Sequence, residues 1–219
     1  MPYRRPYGRK RYYRRRTYRK SSGNSWGSIA KKALSTAMFV KNLVNAETKN
    51  YITSWTMTTG GPLAATQVLN QIPQGDSSSQ RNGDSVKNKS LVIRGDISAN
   101  RTQAGDWTNN VRVLLIKMKN AQTAPLLSEI FKDPSSIHSP RHPNYMKQYK
   151  IIHDKIYTLD KQRLLKNIKW SFPLKSHTEY TGTSGGMTSN AYYMLFQSDT
   201  SGSVFPTFTF TSNLTYLDN

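Results

Sequence analysis

The sequence predicts an all-β sandwich preceded by a basic arm and one amphipathic helix. Three observations predict it. Eight segments with strand patterning follow one another after residue 50, and clusters of Gly, Pro, Ser, Asn and Asp separate them. No long helical pattern alternates with these strands, which argues against a parallel α/β sheet. The charge is polarised: the first twenty residues hold ten of the 32 basic residues, and no acidic residue precedes Glu47.

The arm, residues 1–25, opens "MPYRRPYGRKRYYRRRTYRK". It has no Leu, Ile, Val or Ala to bury, so its composition predicts disorder in isolation. "SSGNS" (21–25) then reads as a flexible joint.

A helix is expected over 26–48. Trp26, Ile29, Ala30, Ala33, Ala37, Val40 and Val44 recur at helical spacing, while Lys31, Lys32, Ser35, Asn42 and Asn45 take the other side. Ser25 suits the N-cap.

The β-domain is expected over 49–219. Its predicted strands are 51–59, 66–72, 85–98, 111–119, 148–159, 163–174, 190–198 and 207–217. The last is the clearest, with Phe208 and Phe210 between Thr207, Thr209 and Thr211. "APLLSEIF" (124–131) reads as a short helix between strands.

Composition bounds function. A net charge of +20 selects polyanions or anionic membranes as partners. The arm lacks the amphipathicity a membrane-active peptide needs, and the longest apolar run in "VRVLLIKMK" is Val113 to Ile116. The start lacks the apolar centre of a secretory signal, and its composition does not suit an amphipathic mitochondrial presequence. Without any Cys there is no disulfide framework, thiol catalysis or Cys-ligated zinc.

The motifs of chemistry read as incidental. "GTSGG" (182–186) matches a nucleophile elbow at Ser184, but polar loop flanks it instead of a strand and a helix. His138 and His142 are four apart, yet Pro140 and Pro143 forbid the helix that would align them on a metal. His153 and His177 stand alone, Arg94-Gly95-Asp96 falls within a predicted strand, and the sequons at Asn88, Asn100 and Asn213 lack a secretory context. The expectation is a protein that is not an enzyme.

The arm carries the functional signal. Arg4, Arg5, Arg9, Lys10, Arg11, Arg14, Arg15, Arg16, Arg19 and Lys20 each neutralise a phosphate and release condensed counterions. Tyr12 and Tyr13, with Tyr3, Tyr7 and Tyr18, offer rings to unpaired bases, each stack worth about 1–3 kcal/mol. Lys31 and Lys32 extend the basic surface onto the helix. Duplex bases are already stacked, so the aromatic interleaving tilts toward single strands. A nuclear-localisation signal is compatible with the same clusters.

"QGDSSSQRNGDSV" (74–86) with "LVIRGDIS" after it, the order helix, "AETKNY", strand, and the final "TYLDN" together resemble the coat proteins of plant necrosis satellite viruses. "MPYRRPYGRKRYYRRR" is similar to the Arg/Tyr-rich tails of capsid proteins from circular single-stranded DNA viruses of the circovirus kind. The resemblance implies a single eight-stranded jelly roll, about sixty copies of which close a small icosahedral shell around the genome. It places the arm and helix inward. Sixty such arms would neutralise roughly six hundred phosphates at one-to-one pairing. The circovirus-like tail favours single-stranded DNA, a virion assembled in the host nucleus, and contact with host import machinery. A satellite RNA cargo is the alternative, and a cellular nucleic-acid binder the remoter one.

Satellite-type coats also bind calcium between subunits. Carried over by motif, this implies one site at Asp76 repeated about a three-fold axis. A second would use the carbonyls of Asn82 and Ser85 with Asp218, and Glu47 nearby. Ser77 stands where that pattern has a second acidic residue, and Asp76 and Asp84 also read as turn residues beside Gly75 and Gly83.

Overall fold

Alternating inward and outward side chains build eight strands in the computed structural model, which describes residues 26–43, 47–59, 65–99, 108–120, 124–182, 186–200 and 205–218. The chain divides into two units, Met1–Asn45 and Ala46–Asn219. The first contains helix α1 (Trp26–Leu43). The second contains strands β1 (Glu47–Thr58), β2 (Ala65–Val68), β3 (Ser85–Ser98), β4 (Asn109–Asn120), β5 (Tyr149–Leu159), β6 (Leu165–Thr181), β7 (Gly186–Ser198) and β8 (Thr207–Asp218). A one-turn helix, α2 (Leu127–Ile130), and a 3₁₀ turn at Pro143–Tyr145 lie between β4 and β5.

Antiparallel pairing gives the order β1-β8-β3-β6 in one rank and β2-β7-β4-β5 in the other. The ranks join through three residue pairs of the β6–β7 hairpin, from Glu179↔Ser189 to Thr181↔Gly186. They face each other: the Phe196 ring of β7 lies 5.6 Å from Phe208 of β8, and Trp170 of β6 lies 6.4 Å from Tyr157 of β5. Two four-stranded ranks in this order are a jelly roll.

The core explains the patterns. On β8, Phe208, Phe210, Leu214 and Tyr216 are buried. The outward threonines pair across to β1, as Thr211 does with Ser54 at 3.0 Å. On β4 the inward row is Val111, Val113 and Leu115, yet Leu114 and Ile116 on the opposite side are also fully buried. The segment between β4 and β5 covers that side. Its Phe131 ring lies 4.3 Å under the Arg112 guanidinium, which also donates to the carbonyls of Ile137 and Ser139. A strand buried on both faces reads as a continuous apolar run, and "VLLI" (113–116) is one.

Several boundaries differ from the sequence expectation. Glu47 and Thr48, placed in the helix by periodicity, open β1 opposite Asp218 and Leu217. β2 stops at Val68, short of residue 72, because the Asn70 side chain replaces the backbone ladder. Its Oδ1 accepts from Tyr192 N–H at 2.9 Å, and its Nδ2 donates to Thr178 Oγ1 at 3.0 Å. β6 continues seven residues past Leu174. Pro173 is tolerated because β6 pairs only with β3 there, leaving its other edge free.

Candidate nucleic-acid interface and charged clusters

The arm residues Arg4 to Lys20, with Tyr12 and Tyr13, lie outside the described residues, as does Ser184. Lys31 and Lys32 are exposed on α1, where the Lys32 carbonyl accepts hydrogen bonds from the hydroxyls of Ser35 and Thr36. No acidic residue occupies the first turn of α1.

Three of the five residues assigned to calcium come together where β1 begins and β8 ends, around the Lys49 ammonium. Lys49 Nζ donates to Asp218 Oδ2 at 2.9 Å, to the Gln80 carbonyl at 3.0 Å and to Asn82 Oδ1 at 3.1 Å, and Glu47 Oε2 stands 3.6 Å away. Lys49 and Asp218 are almost completely buried. Asp218 Oδ2 also accepts from Asn82 N–H at 2.8 Å. The positive charge that balances Asp218 Oδ2 is thus supplied from within the chain, whereas Asp218 Oδ1 is buried with no hydrogen-bond partner among the described residues. Burial alone would lower the Lys49 pKa, but Asp218 and then Glu47 hold it above the ordinary lysine value. Ser85 adjoins Val86, which pairs with Asp218 in the β3–β8 register, and itself stands opposite Glu179 of β6, while Asp76 is exposed on the preceding loop.

That loop is fixed by a residue sequence reasoning passed over. Arg81 is fully buried, its guanidinium 4.4 Å over the Tyr180 ring. It donates to the carbonyls of Ile72, Gly83 and Gly182, and meets Asp84 at 3.3 Å. One arginine in a run of polar residues gives no sequence signal of burial, since arginine is ordinarily exposed. The conformation of "QGDSSSQRNGDSV" therefore hangs on its own arginine.

The remaining motifs fall into structural roles. Asn88 of the first sequon is buried, donating to Thr178 Oγ1 at 2.7 Å. Gly95 of the Arg-Gly-Asp tripeptide sits in β3 between β6 and β8, where an added Cβ would lie 2.2 Å from the Thr209 carbonyl. His142 caps the 3₁₀ turn by accepting from Asn144 N–H at 3.3 Å, and His138 is exposed. His153 packs into the core, 4.4 Å from the Trp170 ring. Among the described residues no three His, Asp or Glu side chains gather closely enough to hold a metal.

No protein-family model and no curated protein sequence matches the chain. Among solved structures, a chain from an empty head of turnip yellow mosaic virus aligns over 78% of this chain and 82% of its own, with 13% identity and a TM-score of 0.35. A broad bean stain virus chain aligns over 79% and 86%, with 13% identity and a score of 0.33. The CBM22-1 xylan-binding domain of Paenibacillus barcinonensis Xyn10C aligns over 80% and 95%, with 10% identity and a score of 0.27. The neighbours span virus particles and a carbohydrate-binding module, and fold likeness by itself selects neither.

Proposed function

We propose that the chain is the coat subunit of a small icosahedral virus, its jelly roll forming the wall and its arm holding a single-stranded DNA genome. The observation that carries this reading is the partition of charge. Ten cationic residues and five tyrosines fill twenty positions, joined to a β-sandwich that has no metal cluster among its described residues. A jelly roll is a common design for viral shells, and also for lectins and cupins. A cupin would need clustered metal ligands, and neither a cupin nor a lectin accounts for a ten-charge arm. The exposed Lys31 and Lys32 continue the phosphate-binding surface beyond the arm.

About sixty copies would assemble, with the free subunit entering the host nucleus through the arm's basic clusters. The loop at 74–86 supports a second reading, a satellite RNA virus coat of the same fold. Both genomes present unpaired bases, so the cargo is decided by nuclease typing of nucleic acid extracted from purified particles. DNase-sensitive, RNase-resistant cargo is expected, and RNA alone would transfer the reading to the satellite class. At Asp218 a calcium ion would have to share the carboxylate with Lys49, through the Oδ1 that has no hydrogen-bond partner among the described residues. For Asp76 the test is thermal disassembly of particles with a chelator, where an unchanged midpoint removes calcium from the account.

A further inference from the structure

The inward face of the second rank carries a feature that core packing does not explain. Its row of Val111, Val113 and Leu115 continues to Lys117, which lies directly opposite Lys150 on β5 and beside Tyr192 on β7. Like charges directly opposed across an antiparallel pair are destabilising. Lys117 and Lys150 line a cavity of ≈ 410 Å³ between β5 and β6, the free edges of the two ranks, and Lys175 of β6, alternating with the inward Leu174 and Ser176, borders it. Among the described residues none of these three lysines has a carboxylate partner. The hydroxyls of Tyr192 and Ser176, bonded to each other, form the floor. Ile152, Pro173 and Leu174 provide an apolar wall. Burial, then the charges of Lys150 and Lys119, lower the Lys117 pKa.

We propose that this mouth of the sandwich binds a phosphate-bearing ligand of mononucleotide size, with Lys117 and Lys150 as the anion contacts. The cavity volume falls in the range of small-molecule sites, which combine apolar walls with a few convergent polar groups. Lysine serves phosphate as a point charge, so the ammoniums of Lys117 and Lys150, opposed across two strands, can meet one phosphoryl group without the planar fork arginine requires. The bound anion would relieve the repulsion between Lys117 and Lys150. The site belongs to the β-domain and is separate from the arm.

Thermal unfolding of the full chain tests it, comparing inorganic phosphate and deoxycytidine monophosphate with chloride at equal ionic strength. The wild type should gain about 2–4 °C at ligand concentrations well above Kd. Lys117→Met should melt higher than wild type in chloride, because a like-charge pair is gone, and bind both ligands about tenfold more weakly. Arm binding is common to both proteins and cancels in the comparison. Equal shifts with the two ligands would show that the anion alone is read, and a larger nucleotide shift that the apolar wall reads the base; both support the site. The same ligand shift in wild type, Lys117→Met and the exposed-site variant Lys150→Gln would overturn it, as would no shift in the wild type.

Discussion

At residue scale, the molecule is held by charges it has internalised. Lys49 joins the start of β1, the 80–82 segment and the end of β8 through one ammonium. Replacing it by Met leaves Asp218 buried without its counterion, so Lys49→Met should cost about 3–5 kcal/mol in denaturant-unfolding measurements. Because the folded Lys49 pKa is raised, its contribution is complete below pH 10.5 and is lost as pH climbs through the folded value. His153 behaves oppositely. Burial, then Lys155, lower its pKa below 6.5, and its Nε2 is buried without a hydrogen-bond partner among the described residues. The unfolded chain therefore binds more protons just below pH 6.5, so stability should fall as pH falls from 6.5 through the folded value. His153→Phe should flatten that segment of the stability–pH curve; an unchanged slope would mean that other groups set it. Gly95→Ala should cost about 1–3 kcal/mol or more, since its Cβ would strike the β8 backbone.

At element scale, legibility followed the chemistry of the inward row. β8 was readable because its inward residues are aromatic and its outward ones are threonines. The end of β6 was not, because there the inward row is Leu174, Ser176, Thr178 and Tyr180, two of them small polar residues. Their burial depends on partners far away in sequence, such as Asn70 and Asn88, that no local pattern reveals. Lys49 and Arg81 were missed for the same reason: a long cation reads as exposed until its partners are in place. Glu47, Asn82 and Asp218, grouped in sequence by the satellite-coat resemblance, do lie together, with the Lys49 ammonium among them. The arm is the element where sequence speaks most directly, through charge. If all ten of its cations contact phosphate, log K for single-stranded DNA should fall with log salt at a slope near about −7. Removing residues 2–20 should flatten that slope and leave the β-sheet circular dichroism unchanged. A reporter carrying residues 1–20 should enter the nucleus; cytoplasmic retention would remove the import assignment.

At the scale of the whole molecule, the proposed function divides labour along the chain, with phosphate neutralisation by the arm and wall-building by the sandwich. Where β1 begins and β8 ends, Lys49 balances the Asp218 charge within the sandwich. Long ladders join β8 to both β1 and β3 and make the first rank a continuous plate. The central claim is that many copies of this chain close a shell around nucleic acid. The most direct measurement is electron microscopy of the purified full chain beside the form lacking residues 2–20, with ultraviolet absorbance and nuclease typing of the contents. The account predicts uniform closed particles containing single-stranded DNA from the full chain, and a folded protein that retains little or no nucleic acid from the shortened one. Full-length protein that stays monomeric with single-stranded DNA present, or shortened particles that still hold a full genome, would contradict it.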